Sequence, residues 1–314
     1  MRRLGQTDIE IEPLILGTNT AGWTADEQTS FRTFDAFVDK GFSALDTADM
    51  YSRWVPGNDS ESERIIGRWM KARRNRDKVH VFTKVGMDMG GPDKIGLSAR
   101  WIEHSIDGSL RRLQTDYVDL YQSHQPDPNT DQHETLEAYA RLIKAGKVRY
   151  IGCSNYNAPQ LNEAIRIAKE ERLPQYQTVQ NQYNLYTRDL YEGDLAELML
   201  GNNLSLMPFY SLAAGFLTGK YRTRDDLDKS PRGKGIGEKF LNPKGMAILA
   251  AMDRVAADTG ASLAEIALAW IVARPGVVGA LASARTPEQL ETLTKGVHLQ
   301  LGPDHMAILT EAGT

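Results

Sequence analysis

The sequence predicts an α/β protein with the architecture of a single (β/α)8 barrel, and two observations lead to that prediction. Eight short apolar or β-branched runs alternate with segments of helical periodicity, a pattern typical of βαβ units and a parallel sheet. No linker rich in Ser, Gly or Pro divides the 314 residues. The length alone would also allow two domains, but eight linker-free repeats favour one domain over residues 1–314.

The predicted elements follow one another along the chain. Strands are predicted at residues 12–16, 42–45, 79–83, 117–121, 148–151, 178–180, 204–209 and 276–281. Helical start signals followed by apolar residues at helical spacing lie between them, as after Ser98 and Asn157. Residues 1–12 predict a β-hairpin that caps the barrel floor. Residues 222–245, after the seventh strand, are charged and glycine-rich, so we expect a long lid loop there.

Composition and charge exclude several classes of protein. With 37 basic and 41 acidic residues, the chain lacks the positive field that gathers nucleic acid. Its one cysteine, Cys153, cannot form a disulfide within the chain, which favours a reducing compartment or an inert buried thiol. The sequence shows neither an apolar run long enough to span a membrane nor a signal peptide. We therefore expect a cytoplasmic protein that binds no nucleic acid and has no membrane span.

Polar residues follow all eight predicted strands. The carboxyl ends of barrel strands meet at one mouth, where active sites form. A single polar residue there is often only the N-cap of the next helix, so the prediction depends on the whole set. In chain order the set is Gly17, Thr18, Asn19, Asp46, Lys84, His124, Ser154, Asn155, Gln180, Asn181, Tyr210, Ser211, Ser283 and Arg285.

Asp46 and Lys84 each end an apolar run, and we expect them to pair because a lone buried charge is costly. Tyr51 lies on the loop after Asp46, where a Lys84 ammonium would favour the phenolate. His124 would add a neutral N–H donor beside the reacting oxygen. The alternative is a structural ion pair with an ordinary loop histidine.

Other motifs are weaker. The glycines of 233–237 follow no strand, and the segment 215–220 lacks P-loop spacing, although its amides and Lys220 could hold a phosphate. Cys153 is typical of a packed small side chain. No metal is predicted, because one group of acidic residues and histidines lacks zinc-ligand spacing. That group is Asp116, Asp119, His124, Asp127, Asp131 and His133, of which the last two are typical of a solvated helix start.

Six segments resemble, in order, the signature blocks of the aldo-keto reductases: 45–51 (LDTADMY), 82–84 (FTK), 123–124 (SH), 152–156 (GCSNY), 180–184 (QNQYN) and 210–212 (YSL). The resemblance extends from the hairpin to about residue 293. It implies a TIM barrel and an NADP(H)-dependent oxidoreductase that reduces a carbonyl to an alcohol. Asp46, Tyr51, Lys84 and His124 match the family's catalytic tetrad, with Tyr51 as proton donor to the oxygen while the nicotinamide gives hydride to the carbon.

The resemblance also implies a cofactor site. Ser154, Asn155 and Gln180 match the carboxamide clamp, and Tyr210 matches the aromatic residue on which the nicotinamide stacks. The strand-end residues Gly17, Thr18 and Asn19 complete the predicted site. The pyrophosphate segment is matched by Ser211, Leu212, Gly215 and Lys220, and the segment that binds the 2′-phosphate by Ser283, Arg285 and Gln289. Leu212 replaces a proline common in the family without removing a ligand. Segment 278–283 lacks the family's Pro-Gly and Leu293 replaces an asparagine that often contacts adenine, so the preference for NADP over NAD stays open.

Substrate contacts are predicted at Trp23, Trp54 and Phe240, aromatic residues on the loop after strand one, after Tyr51 and in the lid. Each could instead pack beneath its loop. The expected partner is a small carbonyl compound such as an aldehyde, ketone or sugar. Two alternatives stay open: an NADPH-binding regulatory or channel-associated subunit with little turnover, and a lyase with a Schiff base on Lys84.

Overall fold

The computed structural model describes residues 1–229 and 233–313, and its centre is an eight-stranded parallel sheet. The sheet has the order β10-β3-β4-β5-β6-β7-β8-β9, and β1 and β2 form a separate antiparallel pair. The strands are β1 (Arg2–Arg3), β2 (Glu10–Ile11), β3 (Leu14–Gly17), β4 (Ala44–Asp46), β5 (His80–Val85), β6 (Val118–Ser123), β7 (Val148–Ser154), β8 (Thr178–Gln180), β9 (Ser205–Leu206) and β10 (Ala280–Ala282). Sequential strands are neighbours, as the alternating pattern predicts.

The sheet closes on itself between β9 and the segment that leads into β10. The Leu206 N–H donates to Gly276 O at 2.8 Å, and Leu206 O accepts from the Val278 N–H at 3.0 Å. The Leu281 N–H donates to Pro208 O at 3.0 Å, one step nearer the mouth. These bonds make the sheet a barrel and confirm the predicted (β/α)8 fold. We call this junction the closing seam.

The helices surround the barrel. They are α1 (Glu27–Asp39), α2 (Glu61–Arg73), α3 (Ala99–Leu113), α4 (Gln132–Lys144), α5 (Ala158–Glu171), α6 (Asp194–Gly201), α7 (Gly233–Phe240), α8 (Pro243–Thr259), α9 (Leu263–Val272), α10 (Pro287–His298) and α11 (Pro303–Ala312). Ser98 and Asn157 accept backbone N–H bonds as the N-caps of α3 and α5, which confirms both predicted helix starts. Within the described residues no single helix could cross a membrane; α8 and α9 together have the length and hydropathy but are bent by 98°.

The N-terminal hairpin is present and fills one end of the barrel. Leu4, Ile9 and Ile11 are buried in a cluster with side chains from inside the barrel. Those partners are Ile15, Ala44, Phe82, Leu120, Met207 and Val278. The hairpin therefore closes the end opposite the mouth, as the sequence predicts.

The predicted lid loop over 222–245 is corrected, because most of that segment is helical. A 3-10 helix covers Arg224–Lys229, α7 follows, and α8 begins at Pro243. Ile236 and Phe240, one helical turn apart, are buried and hold α7 against the barrel. Residues 230–232, which the prediction also included, lie outside the described residues.

Gly67 allows α2 and α3 to approach each other closely. A Cβ there would lie 2.2 Å from Arg112 O and 2.7 Å from the Leu113 carbonyl carbon. We expect Gly67→Ala to lower the free energy of unfolding by about 1–3 kcal/mol, because backbone atoms must move apart. Urea unfolding measures the change. Gly201→Ala in α6 is the control, since its Cβ would meet nothing within 4 Å; equal stability of both variants would contradict this packing.

Candidate active site

Asp46, Lys84 and Tyr51 meet at the mouth of the barrel. Lys84 Nζ donates to Asp46 Oδ2 at 2.6 Å, to Thr47 O at 2.8 Å and to Tyr51 Oη at 3.2 Å. Asp46 and Lys84 are 0% exposed. Their strands, β4 and β5, are neighbours in the sheet, which brings the two side chains together inside the barrel. The ion pair predicted from the sequence is therefore present, and it contacts the phenol.

Two glutamines complete the hydrogen bonds of Asp46. Its Oδ1 accepts from Gln180 Nε2 at 2.9 Å and from Gln122 Nε2 at 3.2 Å. Gln122 was missed by the sequence reasoning, although the signal was available. It lies two residues before His124 in an apolar strand, and strand periodicity places both on the same face. The carboxylate is thus held by three side chains.

The pKa of Tyr51 differs from the sequence expectation. Burial raises it above its usual value, the Lys84 ammonium opposes that rise, and Asp46 adds to it. We expected the Lys84–Asp46 pair to lower this pKa overall, but the loss of solvent outweighs the nearby cation. Tyr51 is consequently a neutral phenol at neutral pH and has a proton to donate.

Lys84 is held as an ammonium. Burial acts to lower its pKa, but Asp46 and Tyr51 together outweigh that effect and raise it above the usual lysine value. A Schiff base requires a neutral amine. The arrangement therefore disfavours the lyase alternative.

His124 lies beside Tyr51, with their ring centroids 5.9 Å apart at an angle of 72°. Burial, together with the neighbouring Lys84 ammonium, lowers the pKa of His124 well below its usual value. Its Nδ1 is buried and has no hydrogen-bond partner among residues 1–229 and 233–313. The imidazole is neutral at neutral pH, so one of its nitrogens carries an N–H and the other is an acceptor.

The ends of β7 and β8 carry three linked amide and hydroxyl residues, one of which contacts His124. Asn155 Nδ2 donates to His124 O at 3.0 Å and to Ser154 Oγ at 3.1 Å, while Ser154 Oγ donates to Gln180 O at 2.8 Å. The carbonyl oxygens of the Asn155 and Gln180 side chains accept no hydrogen bond from the described part of the chain. Two acceptors are left available at this part of the mouth.

The segment after β9 provides an aromatic face and a cation. The Tyr210 side chain is 53% exposed. Leu212 is half-buried against the core, and Gly215 has a φ of +99°. A Cβ on Gly215 would lie 3.7 Å from Lys220 Nζ, so the ammonium lies beside this backbone. Ser211 is buried, and its Oγ bonds to Pro208 O and Leu281 O across the closing seam instead of facing the mouth.

The ends of β3 and β10 approach each other on the other side of this seam. Ser283 Oγ donates to Asn19 Oδ1 at 2.8 Å, and a Cβ on Gly17 would lie 2.7 Å from Ser283 Oγ. Thr18 is buried and donates to Asp46 O, so its side chain holds β3 against β4. At the start of α10, Arg285 is exposed, and its backbone N–H donates to Gln289 Oε1 at 3.0 Å.

Of the three predicted substrate residues, the structure places Trp54 beside Tyr51 and Trp23 beside Trp54. Trp23 and Trp54 are 42% and 44% exposed and make an edge-to-face contact at 5.5 Å. The Trp54 ring centroid lies 6.2 Å from that of Tyr51. Phe240 is instead 3% exposed and stacks on Phe216 beneath α7. Its ring therefore packs α7 against the barrel.

The residues considered for a metal or a thiol nucleophile have other contacts. Asp119 pairs with Arg76 and Arg149, and Asp131 caps α4 by accepting from the His133 N–H. No group of three His, Cys, Asp or Glu side chains in the described ranges is arranged to hold a metal ion. Burial raises the pKa of the Cys153 thiol well above its usual value, which is unfavourable for a nucleophile.

Comparison with known proteins identifies the family. Residues 13–314 match the model of the "Aldo/keto reductase family". Aldo-keto reductase YhdN of Bacillus subtilis is 34% identical, over 93% of this chain and 87% of its own. Uncharacterized oxidoreductase YrpG of the same organism is 32% identical, over 98% and 94%. L-glyceraldehyde 3-phosphate reductase of Escherichia coli is 31% identical, over 81% and 74%. The chain belongs to the aldo/keto reductase family and is an oxidoreductase.

Proposed function

We propose that this protein reduces the carbonyl group of a small aldehyde, ketone or sugar to an alcohol, with NADPH as reductant and Tyr51 as proton donor. One observation carries the proposal: the neutral Tyr51 phenol lies 3.2 Å from a buried ammonium and beside a neutral imidazole. This arrangement gives the phenol a proton to donate and a cation to stabilise the phenolate that remains.

The residues around Tyr51 fit a nicotinamide cofactor. The available oxygens of Asn155 and Gln180 suit the donor side of a carboxamide, and the Ser154 hydroxyl can exchange its backbone acceptor for the carboxamide oxygen. The exposed Tyr210 ring offers a flat face for stacking. Lys220 and the exposed Arg285 would hold phosphate groups. When bound here, the cofactor supplies the hydride.

The side chains of the site handle the proton. Tyr51 donates it to the substrate oxygen, and the Lys84 ammonium stabilises the resulting phenolate. Asp46 keeps Lys84 protonated and fixed in position. An N–H of neutral His124 donates to the same oxygen and orients it. Trp54, with Trp23 packed edge-on against it, forms a partly exposed apolar wall near Tyr51 against which the substrate would pack.

Steady-state oxidation of NADPH across aldehydes, ketoses, diketones and quinones tests the proposal, with NADH measured in parallel. We expect turnover with at least one of these carbonyl classes. NADPH binding without turnover on any of them would contradict the proposal and favour the regulatory-subunit alternative.

Arg285 is expected to discriminate NADPH from NADH. A charge-assisted bond to the 2′-phosphate is worth about 1.5–3 kcal/mol, so Arg285→Ala should weaken NADPH binding about 10- to 100-fold. The Kd for NADH should stay the same, because NADH lacks that phosphate. Quenching of protein fluorescence measures both constants. Arg254→Ala, which removes another exposed arginine on α8, is the control; equal losses for NADPH and NADH at position 285 would contradict the assignment.

A further inference from the structure

Two carboxylates that the proposed chemistry does not use are buried between β5 and the helices α2 and α3. Asp49 and Glu63 are both 0% exposed. Asp49 belongs to the loop between β4 and α2 and lies two residues before Tyr51. Buried carboxylates are costly unless they are fully paired. Their burial here therefore depends on the groups that surround them.

Asp49 connects the Tyr51 loop to two other elements. Its backbone N–H donates to Lys84 O at 3.2 Å, on the residue whose Nζ contacts Tyr51. Its side-chain Oδ2 accepts from Ser105 Oγ of α3 at 3.1 Å. The Tyr51 N–H donates to Ala48 O at 3.1 Å. This bond closes a turn over residues 48–51, which constrains the backbone between Asp49 and Tyr51. A displacement of Asp49 would therefore move Tyr51 Oη relative to Lys84 Nζ.

The hydrogen bonds of Glu63 and Asp49 are unequal. Glu63 accepts from Thr83 Oγ1 and from Arg112 Nε at 2.6 and 2.7 Å, whereas Ser105 is the one side chain of the described residues that donates to Asp49. Asp49 Oδ1 is buried without a partner among the described residues. The titratable groups that act on or respond to Asp49 are Glu63 of α2, Arg112 of α3, Tyr121 of β6 and Tyr139 of α4. The Arg112 guanidinium thus bonds to Glu63 and interacts electrostatically with Asp49.

We propose that Asp49 is a positioning residue for Tyr51, which fastens the loop carrying the phenol to the outer helix layer through Ser105. The inference rests on the proposed function, since the value of a fixed Tyr51 lies in proton donation. Misplacement of a reacting group by about 1 Å can cost two orders of magnitude in rate. The Ser105 contact is the means by which α3, outside the site, determines where the phenol lies.

The test compares variants on both sides of the Asp49–Ser105 bond. Asp49→Ala and Ser105→Ala should each lower kcat about 10- to 100-fold, with KM and the Kd for NADPH within about twofold of wild type. The double variant should lose no more than the worse single variant, because both remove one contact. Asp49→Asn keeps an oxygen acceptor for Ser105 and should recover most of the lost kcat. Ser30→Ala is the control and should match wild type, because Ser30 is a buried serine of α1 whose Oγ has no hydrogen-bond partner among the described residues.

Values of kcat within about twofold of wild type in both alanine variants, or losses that add in the double variant, would overturn the inference. A second readout does not depend on turnover. The ionisation of the Tyr51 phenol can be followed as the tyrosinate absorbance difference between each protein and its Tyr51→Phe counterpart. The inference requires this pKa to differ between Asp49→Ala and Asp49→Asn, because both variants lack the Asp49 charge and only Asp49→Asn keeps an acceptor for Ser105. Absence of carbonyl turnover in the wild type would refute the proposed function, while the absorbance shift would still decide the role of Asp49.

The pH dependence of stability shows whether Asp49 is buried as described. Burial and Glu63 raise the pKa of Asp49 from 3.8 to about 7, so the folded protein binds this proton more tightly than the unfolded chain does. The stability that the proton contributes is complete below about pH 4 and is lost as the pH rises through about 7. Asp49→Asn should remove that part of the decline, measured as the urea midpoint against pH. An unchanged decline would contradict the burial on which the inference depends.

Discussion

Tyr51→Phe is expected to lower kcat for carbonyl reduction by about two to three orders of magnitude or more, with an unchanged Kd for NADPH. The change removes one oxygen atom, the proton donor of the proposed reaction, and leaves the ring in place. Removal of a single group that stabilises charge in a transition state typically costs about 10²–10³ in turnover. Lys84 also loses one of its three hydrogen-bond partners but keeps Asp46 and the Thr47 carbonyl.

Stopped-flow or steady-state oxidation of NADPH measures the rate, and fluorescence quenching measures cofactor binding. Tyr117→Phe is the matched control, because Tyr117 immediately precedes β6 at the opposite end of the barrel. It should retain wild-type kcat. A Tyr51→Phe enzyme with more than about a tenth of wild-type kcat would show that another group donates the proton.

Lys84→Met is expected to abolish turnover and to lower the free energy of unfolding by about 3–5 kcal/mol at neutral pH. Methionine keeps much of the apolar stem but leaves the Asp46 carboxylate buried without a cation. Gln122 and Gln180 still donate to Asp46 Oδ1, while Oδ2 loses its donor. Removal of one partner of a buried pair is costly because the other charge cannot reach solvent.

The double variant Lys84→Met/Asp46→Asn separates stability from catalysis. A neutral asparagine can turn its oxygen towards the two glutamines, so the double variant should recover much of the lost stability but no activity. Urea unfolding at neutral pH provides the comparison. A single variant as stable as wild type, or a double variant no more stable than the single one, would contradict the burial of this ion pair.

Much of the site could be predicted from the sequence because a barrel brings strand ends together. Asp46, Lys84 and His124 lie far apart in the chain, yet each ends a strand, so topology alone places them at one mouth. The direction of the Tyr51 pKa shift could not be predicted in this way. It depends on how much solvent is lost, which is a property of the packed structure.

Residues 222–245, predicted as a lid loop, show a different limit of prediction from the sequence. Ile236 and Phe240 stand among glycines and charged residues, so the periodicity of α7 is carried by two apolar residues only. Packing of Phe240 against Phe216 stabilises this helix, and Phe216 lies outside residues 222–245, so local sequence does not reveal the contact. The same packing explains why Phe240, predicted to contact substrate, lies beneath α7.

The closing seam lies next to both segments that are proposed to bind the cofactor, so cofactor binding would affect the stability of the barrel. Strand β9 has two residues and β10 has three, and Ser211 Oγ adds a side-chain tie between Pro208 and Leu281. Segments 210–220 and 283–289 begin on opposite sides of this junction. A molecule that binds both segments would bridge the junction between these two short strands. Binding of that molecule and closure of the barrel would then be thermodynamically coupled. Binding would raise the free energy of unfolding, and the closed barrel would bind the molecule more tightly.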